Sequence, residues 1–361
     1  MPKKSISSLE LAALVNELQF LNKGKISQIY HREKEELLLQ LHVPGAEKRF
    51  LKIIPGKYLC LTEKKEAPVK PSGFCMLLRK YLDNAFFKKI YQKDAERIVV
   101  FELEKKEKYF LIVELFSKGN IILTDDKYIV IGALESKVWK DRVIKPKEKY
   151  IFPAQGVNWK EIIDKELIGI LKKSEKKNLA TSLATEIGLG GLYAEEVCKV
   201  NEINFKKAPK ETTNDEAKLI IKTIQYFLKK IEKPQGHIYE EEITPFPLAD
   251  RKTKKITKTF NEAIDTLKPL EIASPYEKKI KTLEKTISQQ EEAINTLQRN
   301  IELNSKKGEL IYEKYVPLHK LLEIVKEMRK TKEWNEIAEE LKKERKIKKI
   351  DLKNKSVLID F

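Results

Sequence analysis

The chain has 361 residues, in which 72 Lys and Arg stand against 55 Asp and Glu for a formal charge of +17. Domains of about 100 to 200 residues put roughly two to three in such a chain. Its charge favours a polyanion as partner, nucleic acid first, through phosphate contacts and counterion release, although Lys and Glu enrichment also marks a merely charged surface of thermophile type. Cys60, Cys75 and Cys198 lie too far apart for a disulfide framework or a CxxC metal knuckle, and no segment reaches membrane-spanning length. A cytoplasmic protein without a membrane partner is expected.

Ser7-Ser8-Leu9-Glu10 has capping-box spacing, and Leu11, Ala12, Val15, Leu18 and Phe20 continue it as an amphipathic helix up to Gly24. Short β-branched or aromatic runs at 26–30, 37–41, 50–54 and 58–61, with turns at Pro44-Gly45 and Pro55-Gly56, predict strands. Pro71-Ser72 starts a helix whose buried face is Phe74, Leu77, Leu78 and Leu82 and whose exposed end offers Arg79 and Lys80. Further strands are predicted at 86–91, 98–103, 109–115, 120–123 and 128–131, with a tight Gly119-Asn120 turn. Many strands around few helices give an α+β class with a mostly antiparallel sheet.

Past Pro153 the spacing becomes helical, and 183–197 reads as helix, glycine turn, helix. Gly188-x-Gly190-x-x-x-Ala194 is the spacing of a helix-hairpin-helix, in which Gly188, Gly190 and Gly191 bring free N–H groups and a positive helix end to a phosphate. The same spacing serves an ordinary αα-turn kept for packing. Pro234 and Thr244-Pro245-Phe246-Pro247-Leu248 break the helices, and Arg251 to Lys258 is predicted as an exposed loop. From Ile280 a heptad seam runs through Leu283, Ile287, Gln290, Ile294, Leu297 and Ile301, one arm of a coiled coil that can pair with itself. Lys307 opens another helix that Pro317 interrupts, Trp334 starts a shorter one, and strands at 347–350 and 357–361 follow.

His31, His42, His237 and His319 occur singly, without HExxH, Cys/His cluster or Ser/His/Asp arrangement. No catalytic residue, metal or cofactor is expected. Phe86-Phe87-Lys88-Lys89-Ile90-Tyr91 alternates rings and cations, which suits nucleic acid but also a half-buried strand.

The strings Pro71 to Leu82 and Glu114 to Asp125 resemble the N-terminal (NFACT-N) domain of the ribosome-associated quality-control factors, called RqcH in prokaryotes and NEMF in animals. The resemblance implies an NFACT-N domain over 1–155, sandwich-like and similar to the formamidopyrimidine-DNA glycosylase N-terminal domain. It implies a helix-hairpin-helix domain over 156–234, a return segment over 235–272 that includes Phe260-Asn261-Glu262-Ala263-Ile264-Asp265, a coiled-coil arm over 273–306, and the start of a middle region over 307–361. The chain then reads as the N-terminal part of a longer, archaeal-type protein, cut before a second arm and a basic NFACT-R domain. The implied function is recognition of large ribosomal subunits obstructed by peptidyl-tRNA, with recruitment of tRNA, typically alanyl-tRNA, for untemplated tailing. The ribosome makes each bond, so the chain is not an enzyme.

Glu96-Arg97 stands where the family carries Asp-Arg, and Glu10 where it has another aspartate; in relatives these contact the tRNA anticodon arm. A carboxylate accepts from the amino groups of splayed bases, and a guanidinium stacks on them or bridges phosphates. Glu10 also fits a purely capping role, and Glu96-Arg97 a solvated ion pair at a strand edge. Arg79 and Lys80 are candidates for tRNA phosphates. Trp139-Lys140-Asp141-Arg142 resembles the family too, and either packs or binds. The rival is a DNA glycosylase/AP lyase with Pro2 as its amine, but Lys3 follows Pro2 and no cysteine quartet exists. A surface adhesin, proposed for some bacterial relatives, is disfavoured by the missing export signal.

Overall fold

The computed structural model of the protein describes residues 5–32, 36–45, 47–64, 71–139, 142–267, 275–343, 347–351 and 356–359. Helix α1 (Ser8–Glu17) starts at the capping box: the Ser7 hydroxyl accepts from the Glu10 amide at 3.2 Å, and the Glu10 carboxylate accepts from the Ser7 amide at 2.8 Å. The expected amphipathic helix is instead buried at every position from Ser8 to Val15. Its polar residues there, Ser8 and Glu10, hydrogen-bond inside the protein, so a helix that is apolar almost all round can sit in the core. A 3-10 turn, Leu18–Lys23, ends it at Gly24 as predicted.

Strands β1 (Lys25–Arg32), β2 (Glu36–His42), β3 (Arg49–Ile54) and β4 (Tyr58–Thr62) form one meander. After helix α2 (Gly73–Leu82), strands β5 (Phe86–Gln92), β6 (Ile98–Glu104), β7 (Lys108–Glu114), β8 (Asn120–Asp125) and β9 (Val130–Ala133) form a second. The nine make one antiparallel sheet in the order β4-β3-β2-β1-β5-β6-β7-β8-β9, which gives the expected α+β class. β1 and β5 are in register only at Lys25↔Phe86, so the meanders splay apart from one narrow join.

At the far end their turns meet. The Gly56 amide donates to Glu114 O at 3.2 Å, and a Cβ on Gly119 would lie 1.9 Å from Gly56 N. Only backbone fits there, and both glycines hold φ near +70° (72° and 71°), where a side chain is strained. The tight Gly119-Asn120 turn is thus a five-residue connection, 115–119, with Asn120 already inside β8. Within the second meander, Ile98 and Val100 of β6, Ile112 of β7 and Ile122 of β8 form a core of zero exposure.

The splay leaves the later part of β1 without a partner on its β5 side, and α2 fills it. Ser72 caps α2 by accepting from the Cys75 amide at 3.1 Å, and the His31 ring nitrogen lies 2.7 Å from the same hydroxyl. Arg79 turns inward and donates Nε and Nη2 to Ile29 O at 2.8 and 2.6 Å. The predicted exposed end of this helix therefore keeps Lys80 alone, since an unpaired strand carbonyl has claimed the guanidinium.

A two-residue hairpin not foreseen in the sequence, β10 (Lys137–Val138) and β11 (Val143–Ile144), precedes helices α3 (Asp164–Lys173), α4 (Leu179–Thr185), α5 (Gly191–Val200) and α6 (Asn214–Lys230). Strands β12 (Gly236–Ile238), β13 (Ile243–Thr244) and β14 (Lys255–Thr257) then make a small antiparallel sheet. β14 corrects the predicted loop, because His237↔Ile256 pairing gives the polar segment a partner that its own composition does not announce. Helix α7 (Phe260–Thr266) returns to the first meander. Its Asn261 carboxamide accepts from Leu61 N at 2.6 Å and donates to Leu61 O at 3.0 Å, closing the edge strand β4 as another strand would. Glu17 of α1 accepts from the Phe260 and Asn261 amides, each at 2.8 Å.

The chain divides into two units, Met1–Pro269 and Leu270–Phe361. In the second, helix α8 (Pro275–Glu313) is continuous, so Lys307 opens no new helix. The break falls at Lys314, and Pro317 sits in the first turn of α9 (Tyr315–Met328), where its missing N–H costs nothing. Helix α10 (Trp334–Leu341) and the hairpin β15 (Ile347–Asp351) and β16 (Ser356–Ile359) follow. Leu283, Ile287, Ile294, Leu297 and Ile301 of the heptad seam are each more than half exposed. No helix among the described residues is long and apolar enough to cross a membrane.

Candidate nucleic-acid interface

A cleft of about 430 Å³ lies between the start of α1, the β5–β6 turn and the α4–α5 turn. Glu96, Arg97, Gly188 and Gly190 all line it, together with Ser5 to Ser8 and Gly156. Two features 91 positions apart in the sequence, Arg97 and Gly188, thus converge on one site. Neither Arg79 nor Lys80 lines it.

The β5–β6 turn is held from within. Asp94 takes a left-handed φ of 48° and Glu96 N donates to Lys93 O at 3.0 Å, which brings Glu96 and Arg97 to the entrance of β6. Beneath it Ser8 Oγ donates to Ala95 O and accepts from Trp159 Nε1 at 2.9 Å. Gln92 Nε2 donates to Ser8 O at 3.0 Å and Glu96 O at 2.8 Å, while Lys160 Nζ donates to Gln92 Oε1 at 2.7 Å. Burial lowers the Lys160 ammonium to about 8, against the opposing pull of Asp94 and Glu161. Such a closed polar network fixes the cleft floor.

Arg97 is half-buried, and its Nη1 reaches Ile6 O at 3.5 Å. Burial holds the guanidinium below its ordinary value, with Glu96 opposing. Glu96 accepts from the Gly156 amide at 3.1 Å through Oε1. On the opposite wall, Gly188 and Gly190 have φ of 88° and 80°, the conformations for which the glycine spacing was read. Gly190 N donates to Ala184 O at 3.2 Å, so the turn is closed on α4. The next amides, those of residues 191–193, open α5 ahead of its first intrahelical bond, Ala194 N to Gly190 O at 3.0 Å. They put the positive end of a ten-residue helix beside the cleft.

Glu10 stands apart from the sequence expectation of a base contact. It is 1% exposed, its Oε2 holds the Ser7 amide, and its Oε1 accepts from Tyr193 Oη at 2.7 Å. Its burial assigns it to fastening α1 to α5, the capping alternative with an added partner. Burial, and then the Glu10 charge, push the Tyr193 phenol well above its ordinary value, so it remains a donor. Lys80 is exposed on α2, over the Tyr81 ring at 5.4 Å.

Sequence reasoning missed Ser8, Gln92, Trp159 and Tyr193, whose bonds span 84 to 183 positions. No local pattern marks them: Gln92 precedes Lys93, Trp159 stands between Asn158 and Lys160, and Tyr193 follows a glycine turn. Ser7 is committed to the helix cap and Ser8 to the floor, and among the described residues no cluster of His, Cys, Asp or Glu could hold a metal ion. Chemically, the cleft offers a guanidinium, a carboxylate and a helix N-terminus, a set that suits a phosphate flanked by donors.

A family model described as NFACT N-terminal and middle domains matches residues 7–358. The archaeal Rqc2 homolog aRqcH of Methanocaldococcus jannaschii is 33% identical over 93% of this chain and 54% of its own length. The human ribosome quality control complex subunit NEMF is 30% identical over 37% of this chain and 12% of its own length. The chain therefore spans about half, or less, of these relatives. Among solved structures, the N-terminal part of the fibronectin/fibrinogen-binding protein from Streptococcus suis matches with a TM-score of 0.59 and 23% identity, covering 73% of this chain and 98% of that one. That likeness extends to the fold.

Proposed function

We infer function from kinship: the chain belongs to the family defined by NFACT N-terminal and middle domains. Relatives named as Rqc2 homologs and ribosome quality control subunits support a role in that process. We propose that the full protein acts in the cytoplasm, engages large ribosomal subunits obstructed by peptidyl-tRNA, and recruits tRNA, alanyl-tRNA first, to extend the stalled chain.

One observation supports tRNA as the ligand: Glu96-Arg97 and the Gly188–Gly190 turn face the same cleft. In this reading the α5 amides and Arg97 take backbone phosphate, and Glu96 accepts from a base amino group beside it. Glu10 acts through Tyr193, by holding the two walls together. Lys80, outside the cleft, extends the phosphate contacts, whereas Arg79 keeps its structural bonds. The protein positions substrates and leaves bond formation to the ribosome. A glycosylase or lyase is not favoured, because the named relatives are quality-control factors; the expected amine, Pro2, lies outside the described residues.

The exposed heptad seam of α8 supports a second element of the proposal, pairing of this arm with a like arm of another copy. Pull-down of the protein from cells with sequencing of bound RNA tests the functional proposal. Enrichment of tRNA with large-subunit rRNA is expected, and recovery of neither contradicts it.

A further inference from the structure

A second cavity, of about 450 Å³, opens between the 115–119 connection and the β10–β11 hairpin. It adjoins the first. Leu115 N donates to Arg97 O at 2.8 Å, and Pro153 and Ala154 line this cavity just before Gly156 lines the other.

Trp139 stands on its wall and is 41% exposed. Trp139 N donates to Arg142 O at 2.8 Å, and the Arg142 guanidinium lies 4.6 Å from the indole centroid. That guanidinium is not free to swing. It donates to Glu114 Oε1 at 2.8 Å, the oxygen that also accepts from Tyr150 Oη at 2.9 Å, and Arg142 as a residue is 8% exposed. A buried ion pair therefore backs the indole and orders it before any ligand arrives. A pre-ordered ring loses little freedom when something stacks on it. Lys118 is exposed at the rim of the same cavity. An exposed ring with a neighbouring cation is the arrangement that holds unpaired bases and their phosphates.

We propose that Trp139 is a stacking platform for an unpaired nucleobase of the RNA whose phosphates enter the Arg97 cleft, with Lys118 on an adjoining phosphate. The proposal rests on the tRNA reading above. It requires a single-stranded loop or end, because a base inside a duplex offers no face to a side chain.

The chain has three tryptophans. Trp159 is 1% exposed and hydrogen-bonded, so in a Trp334→Phe background the fluorescence that responds to a surface ligand is that of Trp139. Titration with unfractionated tRNA should quench it, with the same midpoint as filter binding. Trp139→Ala should weaken filter binding roughly 5- to 150-fold, the range for one lost base stack, and Trp139→Phe should restore most of the affinity. If tRNA binds while Trp139 stays unquenched and Trp139→Ala binds normally, the platform is overturned and the Arg97 cleft stands. If Trp139→Ala is weak and Trp139→Phe equally weak, the effect is that of a damaged hairpin and the platform is again overturned. Failure of tRNA to bind the unaltered chain overturns both readings.

Discussion

Tyr193 donates its phenolic hydrogen to the Glu10 carboxylate at 2.7 Å and so joins α5 to the first turn of α1 across 183 positions of sequence. Both residues are at 1% exposure. The same carboxylate closes the α1 capping box, so one buried acid fixes the start of α1 and its distance from the glycine turn.

Tyr193→Phe removes the donor and keeps the ring. A hydrogen bond to a buried charge is worth about 1.5 to 3 kcal/mol, and urea unfolding should show that loss. Binding of tRNA should weaken as well, because this bond ties together the two walls of the cleft, Ser7 on one and Gly190 on the other. An unchanged unfolding midpoint would remove this bond from the account.

Glu17 predicts a pH dependence. Burial raises its carboxyl to about 7, against the pull of the Phe260 and Asn261 amides. A carboxyl raised on folding contributes stability that is full below its ordinary value of 4.5 and is lost as pH rises through about 7. Stability should therefore fall by about 1 to 3 kcal/mol between roughly pH 5 and pH 8. Glu17→Gln should flatten that part of the profile in denaturant titrations across pH, and an equally steep profile in the variant would place the titration elsewhere.

Gly119 is the tightest point where the two meanders meet. Gly119→Ala puts a Cβ 1.9 Å from Gly56 N at a φ of 71°, and should cost more than about 3 kcal/mol through combined clash and strain. Gly45→Ala is the comparison, since Gly45 has a φ of 75° with nothing within 4 Å. Strain alone there should cost about 1 to 2 kcal/mol. Equal melting temperatures for the two variants would mean that the turns can move apart.

Much of this was legible locally. Ser7 to Glu10 announced the α1 cap, alternating apolar runs gave the nine strands, and Gly188 and Gly190 marked their positive φ, because each of these depends on neighbours in sequence. What stayed hidden depends on distant partners. Arg79 reads as an exposed cation until the splay of β1 from β5 leaves Ile29 O for it to bond. Lys255-Ile256-Thr257 reads as a loop until Gly236 to Ile238 pairs with it. Trp159 reads as one more aromatic until it is found donating to Ser8 beneath the cleft.

The arm makes a prediction about assembly. Each buried Leu or Ile contributes roughly 1.5 to 3 kcal/mol, so the exposed seam at Ile287 and Ile294 should drive pairing of copies. Sedimentation of the chain should show concentration-dependent dimers, and Ile287→Lys with Ile294→Lys should give monomers. Monomers in both samples at high concentration would contradict self-association.

The most direct measurement is tRNA binding by filter titration over a range of salt, for the unaltered chain, Arg97→Ala and Gly191→Asp. Gly191 opens α5 with nothing within 4 Å of an added Cβ, so aspartate there should leave the fold intact while repelling a phosphate. Each phosphate contact contributes about 0.9 to the log–log salt slope on duplex and about 0.7 on single strands. With Arg97 as a phosphate contact, Arg97→Ala should weaken binding and lower the slope by about one contact, and Gly191→Asp should weaken binding and lower the slope likewise. Full affinity and an unchanged slope in both variants, with melting temperatures equal to that of the parent, would contradict a tRNA site at this cleft.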